Sequence, residues 1–356
     1  MVKYPFNKFP PSQDEFKSWW KVYQKENPIL KNKGTWIHRL ASLIHCIGKI
    51  TALIPDFNKK IEPPKVYLDS ALKLKLEEKY DRYKEMIKGH QDEHGFIITE
   101  RCDSLLFSSL LSCSLNNVNI KAARDSQGWW HRRPLSYPNC FPNSSASSIS
   151  RDMITGLIWY LYFNKDLTAA EETLELYKKH SFVMGQGDPS RLILMPGLEA
   201  TIASIIYKLG GKSRWFTRHQ RQTYPKNLTG YEVHLLVLHA LLISRLSGHI
   251  RSNVLDSFKA YAEKNPCNAL HQFAYSLYID GNMNMVTELL LNEGWWPTDR
   301  LPTNRDRDSE WLTSRDCDYG YSPSPNPSPI KEFTGGDFIF VAWLVLESLK
   351  SSTIGE

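Results

Sequence analysis

The sequence predicts an all-α chain: an (α/α)6 toroid with an N-terminal helical extension and long aromatic-rich loops. Two observations predict it. Apolar residues recur at helical spacing along most of the 356 residues, and strand-like alternation is confined to short pieces such as Gly95–Thr99 and Arg191–Met195. Helices that are apolar nearly all round also alternate with helices that are apolar on one side. The first kind is buried and the second lies at a surface.

Taken in order, a first helix is expected over Gln13–Glu26, where Ser12 and Glu15 form a capping-box pattern. A second, apolar helix spans Gly34–Leu53, before Pro55 and the pair Pro63-Pro64 break the chain. Residues 1–60 therefore read as the extension and 61–356 as the toroid domain. Pro64–Lys88 is long and charged, with Leu68, Leu72, Leu74 and Tyr80 along one side. The nearly apolar helices are Cys102–Leu115, Ser150–Phe163, Gly197–Leu209, Tyr231–Leu246, Ala269–Tyr278 and Asp337–Leu349. The more charged ones are Asn119–Ser126, Thr168–His180, Arg251–Lys264 and Met283–Asn292, which with Pro64–Lys88 make five. The sixth falls near Ser213–Gln222, where the pattern is weak. Six inner helices alternating with six outer ones is the arithmetic of a toroid. An irregular bundle or a solenoid is its competitor, and the lack of a fixed repeat length counts against the solenoid.

Composition narrows the function. Lys and Arg (44) nearly balance Asp and Glu (38), so a net charge of +6 is no nucleic-acid footprint. The longest apolar run, Leu235–Leu246, is interrupted by His239 and Arg245 and is too short to span a bilayer. The first residues lack the apolar core of a signal peptide. The expectation is a chain that stays inside the cell or one whose export signal has been removed. Six cysteines form no CxxC pair and no zinc spacing, and no loop has calcium-ligand spacing, so no metal or cofactor is expected. Cys46 and Cys113 read as buried thiols, whereas Cys140 and Cys317 sit in polar loops where a disulfide between them is one option.

Aromatic residues make up 12% of the chain, and many lie in two long segments without periodicity, Gln127–Ser148 and Gly294–Gly336. Structureless loops of that length are functional or disordered, and their Trp, Tyr, Arg and Asp content argues for function. Within the second, Ser322–Pro329 reads as polyproline-like. Trp129-Trp130 and Trp295-Trp296 are adjacent pairs, so at least one ring of each is expected to be accessible or to sit on another element. Such rings stack on the apolar faces of sugars or anchor the loops to the body. WWHRR (Trp129–Arg133) sets His131 and Arg132 beside two of them. The basic run Arg214–Arg221 holds an anion or is a solvated face. Gly185–Pro189 lacks the strand and the GK[ST] ending of a phosphate loop.

The inner helices open on ionisable residues: Asp103; Arg151-Asp152; Glu199; Glu232 and His234; His271; Asp337. In a toroid the inner helices run parallel, so these side chains would ring one mouth. Facing carboxylates there can act as general acid and as base or nucleophile on a glycosidic bond. For any single acid, capping a helix is the commoner role. The recurrence is what points to chemistry, and an Asp beside Arg stays ionised, which suits a base or a hydroxyl binder.

With these residues in hand, the chain resembles the α/α-toroid group of carbohydrate-active enzymes over about residues 64–350. CDSLLFSSLL, DSQGWWHRRP, SRDMITGLIWYL and GGDFIFVAWL stand as motif-like blocks. Terpene cyclases share the alternation, but their repeated Gln–Trp motifs are not evident. The resemblance implies a glycoside hydrolase-like enzyme acting on an oligo- or polysaccharide. It implies Asp103 or Glu199 as general acid, with Asp152 or Asp337 as base. Trp129, Trp130, His131, Arg132, Arg151, His234, Trp295 and Trp296 are the expected substrate-binding residues. Two alternatives stand beside it: a lyase on an anionic glycan, with Tyr137, His131 or His234 taking the proton, and a non-catalytic glycan-binding or scaffold protein.

Overall fold

The computed structural model describes residues 36–51, 58–97, 103–137, 149–184, 192–212, 231–307 and 329–353. It is predominantly helical. The described elements are α1 (Trp36–Thr51), α2 (Ser70–Met86), α3 (Ser104–Leu111), α4 (Arg151–Phe163), α5 (Leu167–Lys179), α6 (Pro196–Lys208), α7 (Tyr231–Ser247), α8 (Ser252–Lys264), α9 (Ala269–Ile279), α10 (Asn284–Leu290) and α11 (Gly336–Thr353). Two-residue strands β1 (Lys60–Ile61) and β2 (Ile250–Arg251) pair antiparallel, Lys60 opposite Arg251.

The chain divides into two compact units. The first holds Met1–Asp56, Glu100–Leu106 and Ile120–Arg221; the second holds Phe57–Thr99, Phe107–Asn119 and Gln222–Glu356. In the first, every residue of α4 from Met153 to Leu161 is buried, as is every residue of α6 from Leu198 to Ile206. Between them in sequence, α5 buries Ala169, Ala170, Thr173, Leu174 and Tyr177, the spacing of a one-sided helix. α1 packs on α6, and its Leu40, Ala41, Leu43 and Ile44 share a core with Val183 and Ile193. In the second unit, α8 is one-sided (Val254, Phe258, Tyr261, Ala262), while α9 and α11 bury runs on every side. α2 packs against α10 and α11, and α9 against α7, α8, α10 and α11.

Alternation of buried and one-sided helices is thus present within each unit. Several expected helices differ: Pro64–Lys88 begins only at Ser70, and Cys102–Leu115 is found as Ser104–Leu111. Asn119–Ser126 shortens to a single 3-10 turn, Ile120–Ala123, because Asp125 draws the next residues into a turn. Its carboxylate accepts from the Gln127 and Trp129 N–H groups, each at 2.9 Å. Cys46 and Cys113 are free and partly exposed; Cys113 lies just past the end of α3, in a turn, and burial of its thiol still pushes the pKa up. No described helix is long and apolar enough to cross a membrane. The expected helix at Gln13–Glu26, the runs Arg214–Arg221 and Gly185–Pro189, the Ser322–Pro329 stretch and the Cys140–Cys317 option lie outside the described residues.

Candidate functional site

The expected acids divide between the units: Asp103, Asp152 and Glu199 belong to the first, and Glu232, His234, His271 and Asp337 to the second.

In the first unit the geometry is set where α3 and α4 meet. A Cβ added to Gly156 would stand 2.4 Å from the Leu106 carbonyl oxygen, so glycine alone lets the two backbones approach this closely. Asp103 precedes Leu106 by three residues and Asp152 precedes Gly156 by four. At about 1.5 Å of rise per residue, both acids lie within about 6 Å of that contact, measured along their own helices. Asp103 stands just ahead of α3, fixed by the loop that follows Trp130. The Leu105 N–H donates to the Arg132 carbonyl at 2.7 Å, and Arg132 Nη1 donates to Asp103 Oδ1 at 3.0 Å. Arg132 is buried and Asp103 is partly exposed. A guanidinium at that distance favours the ionised carboxylate.

The Trp129–Arg133 loop is built from the inside. Trp130 is fully buried, bridges to Arg124, and donates its indole N–H to Thr173 Oγ1 at 2.8 Å. Trp129 is partly exposed, edge-on to His180 at 4.8 Å. His131 Nε2 lies 3.1 Å from Asp125 Oδ2. Burial pushes the Asp125 carboxyl up, but hydrogen bonds from His131 and from the Trp129 and Gln127 N–H groups outweigh it and hold the group below the usual range. Arg133 lies over the Tyr137 ring at 5.8 Å. Arg151 and Asp152 open α4 and are partly exposed.

Glu199 has a partner that the sequence does not announce. It sits in the first turn of α6, yet its carboxylate is not used as a cap. Oε2 lies 2.7 Å from His45 Nδ1 on α1, and His45 Nε2 lies 2.7 Å from the Leu194 carbonyl oxygen. His45 is buried and stacks face-on against Phe182, with ring centroids 3.6 Å apart. Phe182 and its neighbour Ser181 are left-handed, at φ 63° and 53°. For a side chain as bulky as Phe, that conformation costs about 1–3 kcal/mol and persists only where the surroundings enforce it. Here the Phe182 N–H donates to Tyr177 and its carbonyl accepts from Leu194 N–H at 2.9 Å.

The second unit treats its residues differently. Glu232 is exposed. His234 is 1% exposed, and burial first, then the nearby His271, lowers its pKa to about 3, so its imidazole is neutral. Asp337 is buried against Arg307 Nη2 and accepts the Phe338 N–H at 2.9 Å. Arg307 in turn lies over Trp296 at 4.9 Å and Phe333 at 5.9 Å. Trp296 is buried, and Trp295 is partly exposed at a T-shaped 6.2 Å from it. Each Trp pair thus has one core ring and one accessible ring. Among the described residues, no group of three or more His, Cys, Asp and Glu is placed to hold a metal ion.

Comparison of the chain with protein-family models, with curated proteins and with solved structures finds no match. His45, Arg307 and Phe182 are the residues that sequence reasoning missed. The partners of His45 and Arg307 lie 154 and 30 positions away, and no local pattern marks such pairs.

Proposed function

We propose that the chain is a glycoside hydrolase-like enzyme that cleaves an oligo- or polysaccharide with paired carboxylates, and that its alternating helices follow the (α/α)6 toroid plan. One observation carries the reading. In the first unit two partly exposed aspartates, Asp103 and Asp152, open buried apolar helices and stand within about a turn of the same close backbone contact. Beside Asp103 lie Arg132 and the WWHRR loop, with Trp129 partly exposed for stacking on a sugar face.

We assign the roles from these contacts, in a different order from the one that the resemblance implied. Asp103 Oδ1 accepts from the Arg132 guanidinium and Glu199 Oε2 lies 2.7 Å from a His45 ring nitrogen, and we assign proton acceptance to these two by that geometry. We assign proton donation to the leaving oxygen to Asp152, on its position alone: it is partly exposed and stands in the first turn of the buried helix α4.

The test is reducing-end release from a panel of soluble polysaccharides and aryl glycosides. On any substrate cleaved, D152N and D103N are expected to lose about 100-fold or more, the range for general acid–base groups. Full activity in both variants overturns the assignment. The cluster of His131, Arg132, Arg133 and Tyr137 favours a second reading, a lyase on a uronate polymer in which Arg neutralises the carboxylate and Tyr137 takes the proton. Release of an unsaturated, ultraviolet-absorbing product is its signature. Glycan retained without cleavage marks the binding or scaffold reading.

A further inference from the structure

We propose that Glu199 is the water-activating carboxylate of this site and that His45 is its positioning residue; the inference rests on the hydrolase reading and deepens it.

The argument starts from hydrogen-bond inventory. A carbonyl oxygen can only accept, so the 2.7 Å contact to Leu194 requires a proton on His45 Nε2. Nδ1 then faces Glu199 Oε2 at 2.7 Å, and two bare lone pairs at that distance repel. A proton therefore lies on the Nδ1–Oε2 axis. With the proton on Nδ1, His45 donates from both ring nitrogens, Oε2 is an acceptor, and the carboxylate is held in one orientation.

Oε1 is the free end. Among the described residues nothing is hydrogen-bonded to it, and the Glu199 side chain keeps 9% exposure. The neighbours of the pair along the chain are apolar: Ile44 precedes His45, Val183 follows Phe182, and Ile193 and Met195 flank Leu194, all in or against one buried cluster. Low local polarity strengthens the charge-assisted bond. Phe182, pinned in its left-handed conformation, covers one face of the imidazole and fixes the ring plane. That is the construction expected of a residue whose task is to orient another. His45 itself cannot be the base, because both of its nitrogens are engaged.

In the step this permits, a water O–H gives its proton to Glu199 Oε1 as the water oxygen bonds to the anomeric carbon. The glycosidic C–O bond breaks, its electron pair stays on the leaving oxygen, and that oxygen takes a proton from Asp152. Solvent returns the proton from Glu199 to Asp152, so the cycle balances.

Two measurements test it. In protein labelled with ¹⁵N-histidine at neutral pH, both His45 ring nitrogens are expected to be protonated, and in E199Q Nδ1 is expected to become bare. A bare Nδ1 in the unaltered protein overturns the proposal, since Glu199 then holds the proton. The second measurement compares H45N with H45Q, each checked for folding by thermal melting. Asn places its amide nitrogen where Nδ1 stands and keeps the bond to Glu199; Gln reaches the Nε2 position and keeps only the bond to Leu194. H45N is expected to retain at least ten times the activity of H45Q, and E199Q to lose 100-fold or more. Equal activity in H45N and H45Q reduces His45 to a structural residue. If D152N loses activity while E199Q keeps it, this proposal fails and the hydrolase reading survives. If no glycan is cleaved although the NMR signature is present, both fail together.

Discussion

Asp337 shows how a single pairing decides what a residue can be used for. By position it matches Asp103 and Asp152, an acid at the opening of an apolar helix. By environment it is a different residue: both carboxylate oxygens are engaged, Oδ2 by Arg307 and Oδ1 by the Phe338 N–H, so it lacks the free oxygen that Glu199 keeps, and Arg307 is 1% exposed and lies over Trp296 and Phe333. Removing one member of such a pair leaves the other charge buried and uncompensated, which costs about 3–5 kcal/mol. D337N and R307M are each expected to lower stability by that amount in urea unfolding. D152N, at a partly exposed site, is expected to cost under about 1 kcal/mol. Any activity lost by D337N should then follow the unfolded fraction, which separates it from a variant that loses chemistry while folded. An activity loss in D337N at unchanged stability would return Asp337 to the catalytic candidates.

At the scale of elements, helix starts differ in their caps, and not by burial alone: one-sided α8 has no side-chain cap, whereas buried α9 is capped by Asn268. The one-sided helices α2 and α5 are capped by aspartates: Asp69 accepts from the Ala71 and Leu72 N–H groups, and Asp166 from Ala169 N–H. The N-cap residues of the buried helices α4 and α6, Ser150 and Met195, make no such bond. The meeting of α3 and α4 yields a sharp prediction. In an open helix, Gly to Ala gains up to about 1 kcal/mol. At Gly156 the new methyl would meet the Leu106 carbonyl at 2.4 Å, and backbone cannot swing aside as a side chain can. G156A is therefore expected to destabilise by about 1–3 kcal/mol. A stabilised G156A, read by thermal melting, would show that the two helices are not in backbone contact. Much of this level was legible in the residues. Ser150–Phe163, Thr168–His180 and Arg251–Lys264, read from apolar spacing, become Arg151–Phe163, Leu167–Lys179 and Ser252–Lys264. Burial follows local periodicity, and local periodicity is what a sequence displays. The failure at Asn119–Ser126 has a local cause too, because the Asp125 carboxylate offers backbone N–H groups an alternative to the helix. The pairs His45–Glu199 and Arg132–Asp103 left no trace, because which charges meet depends on how helices pack and not on spacing along one of them.

The response of the folded chain to acid follows from the second unit's buried histidines. His234 and His239 lie on α7, 1% and 5% exposed. Burial lowers their pKa values from 6.5 to about 3 and about 4, His271 adding to the effect at His234. Both folded-state values lie below the unfolded one, so between them the unfolded chain binds protons that the fold refuses. Stability therefore rises with pH across this window. It is fully present above pH 6.5, falls as pH drops below that, and stops falling from this source once pH passes about 4 for His239 and about 3 for His234. Each histidine contributes at most about 1.4 kcal/mol per pH unit, and half that at pH 6.5 where the unfolded imidazole is half protonated, so going from pH 6.5 to 5 is expected to cost about 3 kcal/mol from the two together. The measurement is the free energy of unfolding in urea at half-unit intervals from pH 7.5 to 4.5. H239L and H234L alter baseline stability in their own right, but each is expected to remove about one proton from the pH slope in that window. A slope unchanged in both variants would mean that these imidazoles are already protonated in the folded chain, and that α7 has more access to water than its burial allows.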